Sequence, residues 1–278
     1  MRSIKTVDSW QYRFAFLAGS NAELPADFDL SALKRGFRYA LFLPKEEAGW
    51  AGRTPSPPRI LFLYEDALEI YAHPASGEQP VTIPFAELQF IERGHILLQG
   101  WLRFHAACCE RKLSYNTRNS QAVRRFLRVL YSAFFNPSLQ AGSVKGSLGP
   151  PLNLKFQNAC AEEWLPGEVV QAQLFMPSKR KFRTFGPFRR EEWRPADFVA
   201  VTDRRVVWIT DRYRDRFEPY GIITCFAPLR SVLGLFCEPV QDGIRLSIKL
   251  IGGLTWSIPA PIEMETEVRA FAEAALLR

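Results

Sequence analysis

Five blocks of this chain occur twice in the same order, and a chain that repeats itself in this way is built from two copies of one unit. Leu41-Phe42-Leu43-Pro44 matches Leu174-Phe175-Met176-Pro177, and the run Ile60 to Leu68 matches Phe198 to Val206. Ile83-Pro84-Phe85-Ala86-Glu87-Leu88 matches Ala227-Pro228-Leu229-Arg230-Ser231-Val232. Leu113-Ser114-Tyr115 matches Leu254-Thr255-Trp256, and Val123-Arg124-Arg125-Phe126 matches Val268-Arg269-Ala270-Phe271. The offset changes from 133 to 145 residues along the chain. Each change falls between expected elements, where insertions are tolerated.

The second copy is read most easily. Phe198-Val199-Ala200-Val201 and Val206-Val207-Trp208-Ile209 flank the polar turn Thr202-Asp203-Arg204-Arg205, the pattern of a β-hairpin. Both copies end in an amphipathic helix. Val123, Phe126, Leu127, Leu130, Tyr131 and Phe134 fall at helical spacing in the first, with Asn119 or Ser120 as its cap; Val268, Phe271, Ala272, Ala275 and Leu276 do so in the second. Short strands closed by one helix, with the hairpin and the Ala227–Val232 strand between, resemble the pleckstrin-homology-like (PH-like) barrel in its bacterial form. The first copy departs at the turn, where it has Tyr64-Glu65-Asp66-Ala67. The resemblance implies an α+β, mainly β fold of two PH-like barrels. Each would be a bent antiparallel sheet of about seven strands capped by a C-terminal helix. It also implies a binding or scaffolding role without catalytic residues.

The expected organisation is an N-terminal extension over 1–35, a first PH-like domain over 36–135, a linker over 136–166 and a second PH-like domain over 167–278. Trp10, Tyr12, Phe14 and Phe16 alternate with Gln11, Arg13 and Ala15 as in a strand, and nothing matching precedes the second copy. A short helix is expected near 31–35. The linker carries Pro137, Gly142, Gly146, Gly149, Pro150 and Pro151, and Phe156, Ala159, Cys160 and Glu163 within it suit a short helix. In the first copy, Ile96–Cys109 and Lys112–Asn116 read as a hairpin. In the second, Pro177–Pro195 reads as a long loop and Asp211–Tyr220 as a charged, solvated one.

With 278 residues, 47% of them hydrophobic and 13% aromatic, the chain can fill two cores of ordinary size. The formal charge of +7 permits an anionic membrane, a nucleic acid or an acidic protein as partner and selects none of them. Cys108, Cys109, Cys160, Cys225 and Cys237 are an odd number, spaced like neither a disulfide framework nor a zinc site. The first residues are too charged for a signal peptide, and no run is long enough to span a bilayer. A cytoplasmic protein with reduced thiols is expected, peripheral at the inner membrane face if it meets a membrane at all.

Between 179 and 194 seven basic residues meet two acidic ones, so this segment holds +5 of the chain's net charge. Lys179, Arg180, Lys181, Phe182, Arg183, Phe185, Arg189 and Arg190 are its candidate anion- or membrane-binding residues, and the corresponding loop of eukaryotic PH domains cradles inositol phosphates. Clustered guanidinium groups can bind oxyanions in bidentate fashion, and phenylalanines at a tip can enter a headgroup layer. The bland reading is a solvated or docking loop. The matching loop in the first copy, Lys45–Pro58, is nearly neutral. His105 and Cys108 fall on opposite faces of a strand, so Cys108 and Cys109 are expected to be a buried structural pair and not metal ligands. His73, His95 and His105 are scattered, without a base–nucleophile arrangement or phosphate loop. These readings rank a non-enzymatic tandem protein that binds another protein, or itself, first. A membrane or anionic-phosphate module comes second and a nucleic-acid binder last. No cofactor and no metal are expected.

Overall fold

The computed structural model of the chain describes residues 13–28, 30, 36–46, 56–135, 147–185, 188–213, 216–217, 220–241 and 243–276. The fold is α+β and mainly β. In the first half, β1 (Phe16–Ala18), β2 (Tyr39–Leu43), β3 (Arg59–Leu63), β4 (Ala67–Ala72) and β5 (Val81–Pro84) form a five-stranded antiparallel sheet in that order. Next come β6 (Leu88–Ile96), β7 (Gln99–Ala106), β8 (Glu110–Asn116) and the helix α1 (Ser120–Phe134). A short strand β9 (Ser147–Leu148) and the helix α2 (Leu154–Glu163) lead to the second half.

The second half opens with β10 (Val170–Met176), β11 (Lys179–Phe185), β12 (Phe188–Arg194), β13 (Asp197–Thr202) and β14 (Arg205–Thr210). The small strands β15 (Arg212–Tyr213) and β16 (Arg216–Phe217) follow, then β17 (Gly221–Pro228), β18 (Val232–Val240), β19 (Gly243–Leu250), β20 (Thr255–Pro261) and the helix α3 (Glu265–Leu276). A 3-10 turn over Leu229–Ser231 separates β17 from β18.

Of the expected pair of bent antiparallel sheets, the antiparallel sheets form but do not close into barrels. Among the described residues no closed barrel forms, and one eight-stranded sheet, ordered β8-β7-β6-β17-β14-β13-β10-β9, runs through both halves. Its joint is β6 against β17, antiparallel from Ile91 opposite Phe226 to Ile96 opposite Gly221. The strands β18, β19 and β20 make a separate three-stranded sheet.

The apolar runs of the second half explain this placement. Phe198–Val201 lacks polar alternation because β13 is buried on both faces, as continuous apolar strands are. Phe198 and Ala200, with Val207, Ile209 and Phe226, join the core that contains Val123, Phe126, Leu130 and Phe134 of α1. Val199, Val201 and Val206 join a second core with Val268 and Phe271 of α3. Each fully buried side chain of this size stabilises the fold by about 1.5–3 kcal/mol. The first-half sheet is covered twice in the same manner: Leu61 and Leu63 face α1, and Ile60 and Phe62 face Leu24 and Phe28.

The helix α1 buries the six residues its spacing selects. Asn119 holds its N-cap position, as expected, but its Oδ1 accepts from Ala15 N–H at 3.0 Å instead of capping the helix, and Asn116 caps the preceding 3-10 turn by accepting from Arg118 N–H. The helix α2 also forms, and Phe156, Ala159, Cys160 and Glu163 are its buried face. Among the described residues, the aromatic N-terminal strand covers Phe16–Ala18, paired with β2. The strand β9 lies in the matching place beside β10, although parallel to it. The N-terminal residues Trp10 and Tyr12, the helix expected at 31–35 and the linker residues 136–146 lie outside the described residues.

The expected hairpin from Ile96 to Asn116 becomes the second and third strands of a meander. The two-residue turn Leu97-Leu98 joins β6 to β7, with Leu97 at φ 50°. Close packing beside it needs glycine. A Cβ on Gly94 would lie 2.0 Å from the Trp101 ring.

Candidate functional site

The basic segment 179–194 is a β-hairpin, not a loop. The strands β11 and β12 pair from Lys179 opposite Arg194 to Phe185 opposite Phe188 and form a two-stranded sheet of their own. Lys181 stands opposite Glu192, and Phe182 opposite Glu191. Arg183 stands opposite Arg190, and Thr184 opposite Arg189. The carboxylates therefore share the inner half of the ribbon with lysine and arginine, while the charged residues of its outer half are arginines alone and its last described pair is Phe185 opposite Phe188. Arg180 lies opposite Trp193. Two contacts fix the base: Lys179 Nζ pairs with Glu263, and Arg194 donates to the Pro259 carbonyl. Burial lowers the Arg194 guanidinium below its ordinary range.

In the first half the corresponding place, between the β2–β3 and β4–β5 connections, holds a cleft of about 590 Å3. Two polar pairs lie at it. Arg59 pairs with Glu78 at 2.9 Å, and His73 Nε2 lies 3.2 Å from Asp27. Most of the segment Lys45–Pro58, expected to be the neutral counterpart, lies outside the described residues.

Other expectations change. Cys108 and Cys109 are not a buried pair: the strand ends at Ala106, Cys108 is exposed and its Sγ lies 3.6 Å from that of Cys109. Among the described residues no group of three His, Cys, Asp or Glu side chains could hold a metal. Asp211 is not solvated. It is buried, accepts from Ala196 N–H at 2.7 Å and lies 3.6 Å from Lys155 Nζ. Burial pushes its carboxyl up to about 6, against the opposing effects of Lys155 and the Ala196 amide. Two short strands, β15 and β16, follow it where a loop is expected.

Arg205 departs furthest from its reading as a turn residue. It is 0% exposed and donates from Nε and Nη2 to the two Glu168 oxygens, both at 2.7 Å. Nη2 also donates to the Glu163 carbonyl at 2.6 Å. The rings of Tyr131, Phe135 and Phe226 surround the guanidinium at 4.9–5.3 Å, so residues of both halves enclose one charge. Arg230 ties the halves a second time, donating to the carbonyls of Phe85 at 2.8 Å and Phe134 at 3.2 Å. Among the described residues no helix is long and apolar enough to cross a membrane. No family model and no curated protein matches the chain.

Proposed function

We propose that the chain is a non-enzymatic binding protein of two PH-like halves, and that its contact surface is the β11–β12 hairpin, which docks on an acidic surface of a partner protein. The observation that carries this reading is Arg183 directly opposite Arg190, with Arg189 one residue along. Like charges directly opposite destabilise a strand pair, and a two-stranded ribbon has little stability to lose. An acidic partner removes that repulsion, and the planar arginine fork suits carboxylates. The PH-like reading is supported by the element order: β2–β5, then β6–β8, then α1 in one half; β10, β13, β14 and β17, then β18–β20, then α3 in the other. Both β6 and β18 have nine residues and a register shift after the first.

The phenylalanine pair at the tip supports a second reading, docking on an anionic membrane. Both readings are tested on the intact protein with polyglutamate and with phosphatidylserine vesicles, beside Arg183→Glu/Arg190→Glu. The proposal expects salt-sensitive binding to polyglutamate that the double variant loses. Retention on the vesicles alone selects the membrane. Binding to neither, or equal binding by the variant, refutes the hairpin as the contact surface.

A further inference from the structure

Two cavities share Arg93 and Glu162 in their linings, near the seam between the halves. The smaller, of about 150 Å3, lies between β6, β8 and the start of α1, with Glu162 of α2 on its rim. The larger, of about 300 Å3, lies between β6, α2 and the start of β17. His95 also lines both.

The walls of the smaller cavity carry two arginines, Arg93 and Arg124. Arg93 is only 5% exposed, pairs through Nη2 with the buried Glu163 and lies 3.7 Å from Glu162 Oε2. Its buried Nε has no hydrogen-bond partner among the described residues. A buried donor left without an acceptor keeps its desolvation cost uncompensated. Arg124, from the first turns of α1, reaches the other oxygen of Glu162 at 2.5 Å. Glu162 is thus a carboxylate held between two guanidinium groups, yet its side chain is 41% exposed and can swing out. Burial, with the neighbouring positive charge of Arg93, keeps His95 below its ordinary pKa. As a neutral imidazole it contributes an N–H donor without adding charge. The hydroxyl-bearing residues Ser120 and Thr117 complete a polar lining.

We propose that this cavity binds a tetrahedral oxyanion, as free phosphate or as the phosphoryl group of a larger ligand, between Arg93 and Arg124, displacing the Glu162 carboxylate that now bridges them. Two arginines offer bidentate geometry to a phosphate. The second cavity has room for the remainder of a phosphate ester. Occupancy stabilises the folded state by mass action. The site is independent of the hairpin.

The test is calorimetric titration of the intact protein with inorganic phosphate and, separately, with phosphoserine. Variants Glu162→Gln, Arg124→Ala and Arg183→Glu/Arg190→Glu are titrated alongside. Saturable binding is expected in the wild-type protein. Glu162→Gln, which removes the competing charge without removing bulk, is expected to bind about tenfold more tightly. A folded Arg124→Ala protein, verified by circular dichroism, is expected to lose binding, and the hairpin variant to keep it. Binding of both probes assigns the free anion; binding of phosphoserine alone assigns a phosphoryl group on a larger ligand. Absence of saturable binding even in Glu162→Gln overturns the proposal. So does binding that survives Arg124→Ala or disappears in the hairpin variant.

Discussion

Arg205 carries a charge to a place without solvent, where a bidentate carboxylate, a carbonyl and three aromatic faces replace much of its hydration, while its Nη1 has no hydrogen-bond partner among the described residues. Such a pair gives little net stability over apolar residues of the same shape, but removing one member leaves the other charged and buried. Arg205→Leu is therefore expected to cost about 3–5 kcal/mol in urea unfolding, and Arg205→Leu/Glu168→Leu to recover much of that loss. Asp211 gives the opposite kind of test. Its carboxyl titrates near 6 in the folded chain and near 3.9 when unfolded, so the folded state holds the proton more tightly. Its contribution to stability is therefore present below about pH 4 and lost as pH rises to about 6. Stability relative to Asp211→Asn is expected to fall by on the order of 2–3 kcal/mol over that interval and to stay level above it. A flat difference across the series would place the Asp211 carboxyl in an ordinary environment.

The meander β6–β8 turns on contacts that allow no extra atom. A Cβ at Gly94 would enter the ring of Trp101, whose Nε1 donates to Glu92 at 2.7 Å. Gly94→Val is expected to destabilise the protein by about 1–3 kcal/mol or more, with changed tryptophan fluorescence as the local readout. These elements also mark what could be read beforehand. The helix α1 and the buried face of α2 were legible because each pattern is local and apolar. The turn at Leu97-Leu98 was not, since neither residue is a turn former and only the paired strands hold Leu97 at positive φ. The hairpin β11–β12 was hidden because its charges mask the apolar alternation by which strands are recognised. Its basic residues were found, but not their register. Burial of Arg205 depends on Glu168, 37 residues away. The seam cavity joins Arg93 and Arg124 to Glu162, which no local spacing connects.

At the scale of the whole molecule, the two halves share a sheet, a core and two arginine ties, so they are expected to fold as one unit. Strands of the second half reach the first-half helix through Phe198 and Phe226, and a swinging pair of domains could not keep those side chains dry. The most direct measurement is differential scanning calorimetry of the intact chain beside Thr224→Pro, which removes a donor from β17 where it lies between β14 and β6. One transition, with calorimetric and van't Hoff enthalpies equal and the whole of it moved to lower temperature in the variant, is the expected result. Two separable transitions, only one of them moved by Thr224→Pro, would contradict a single folded body.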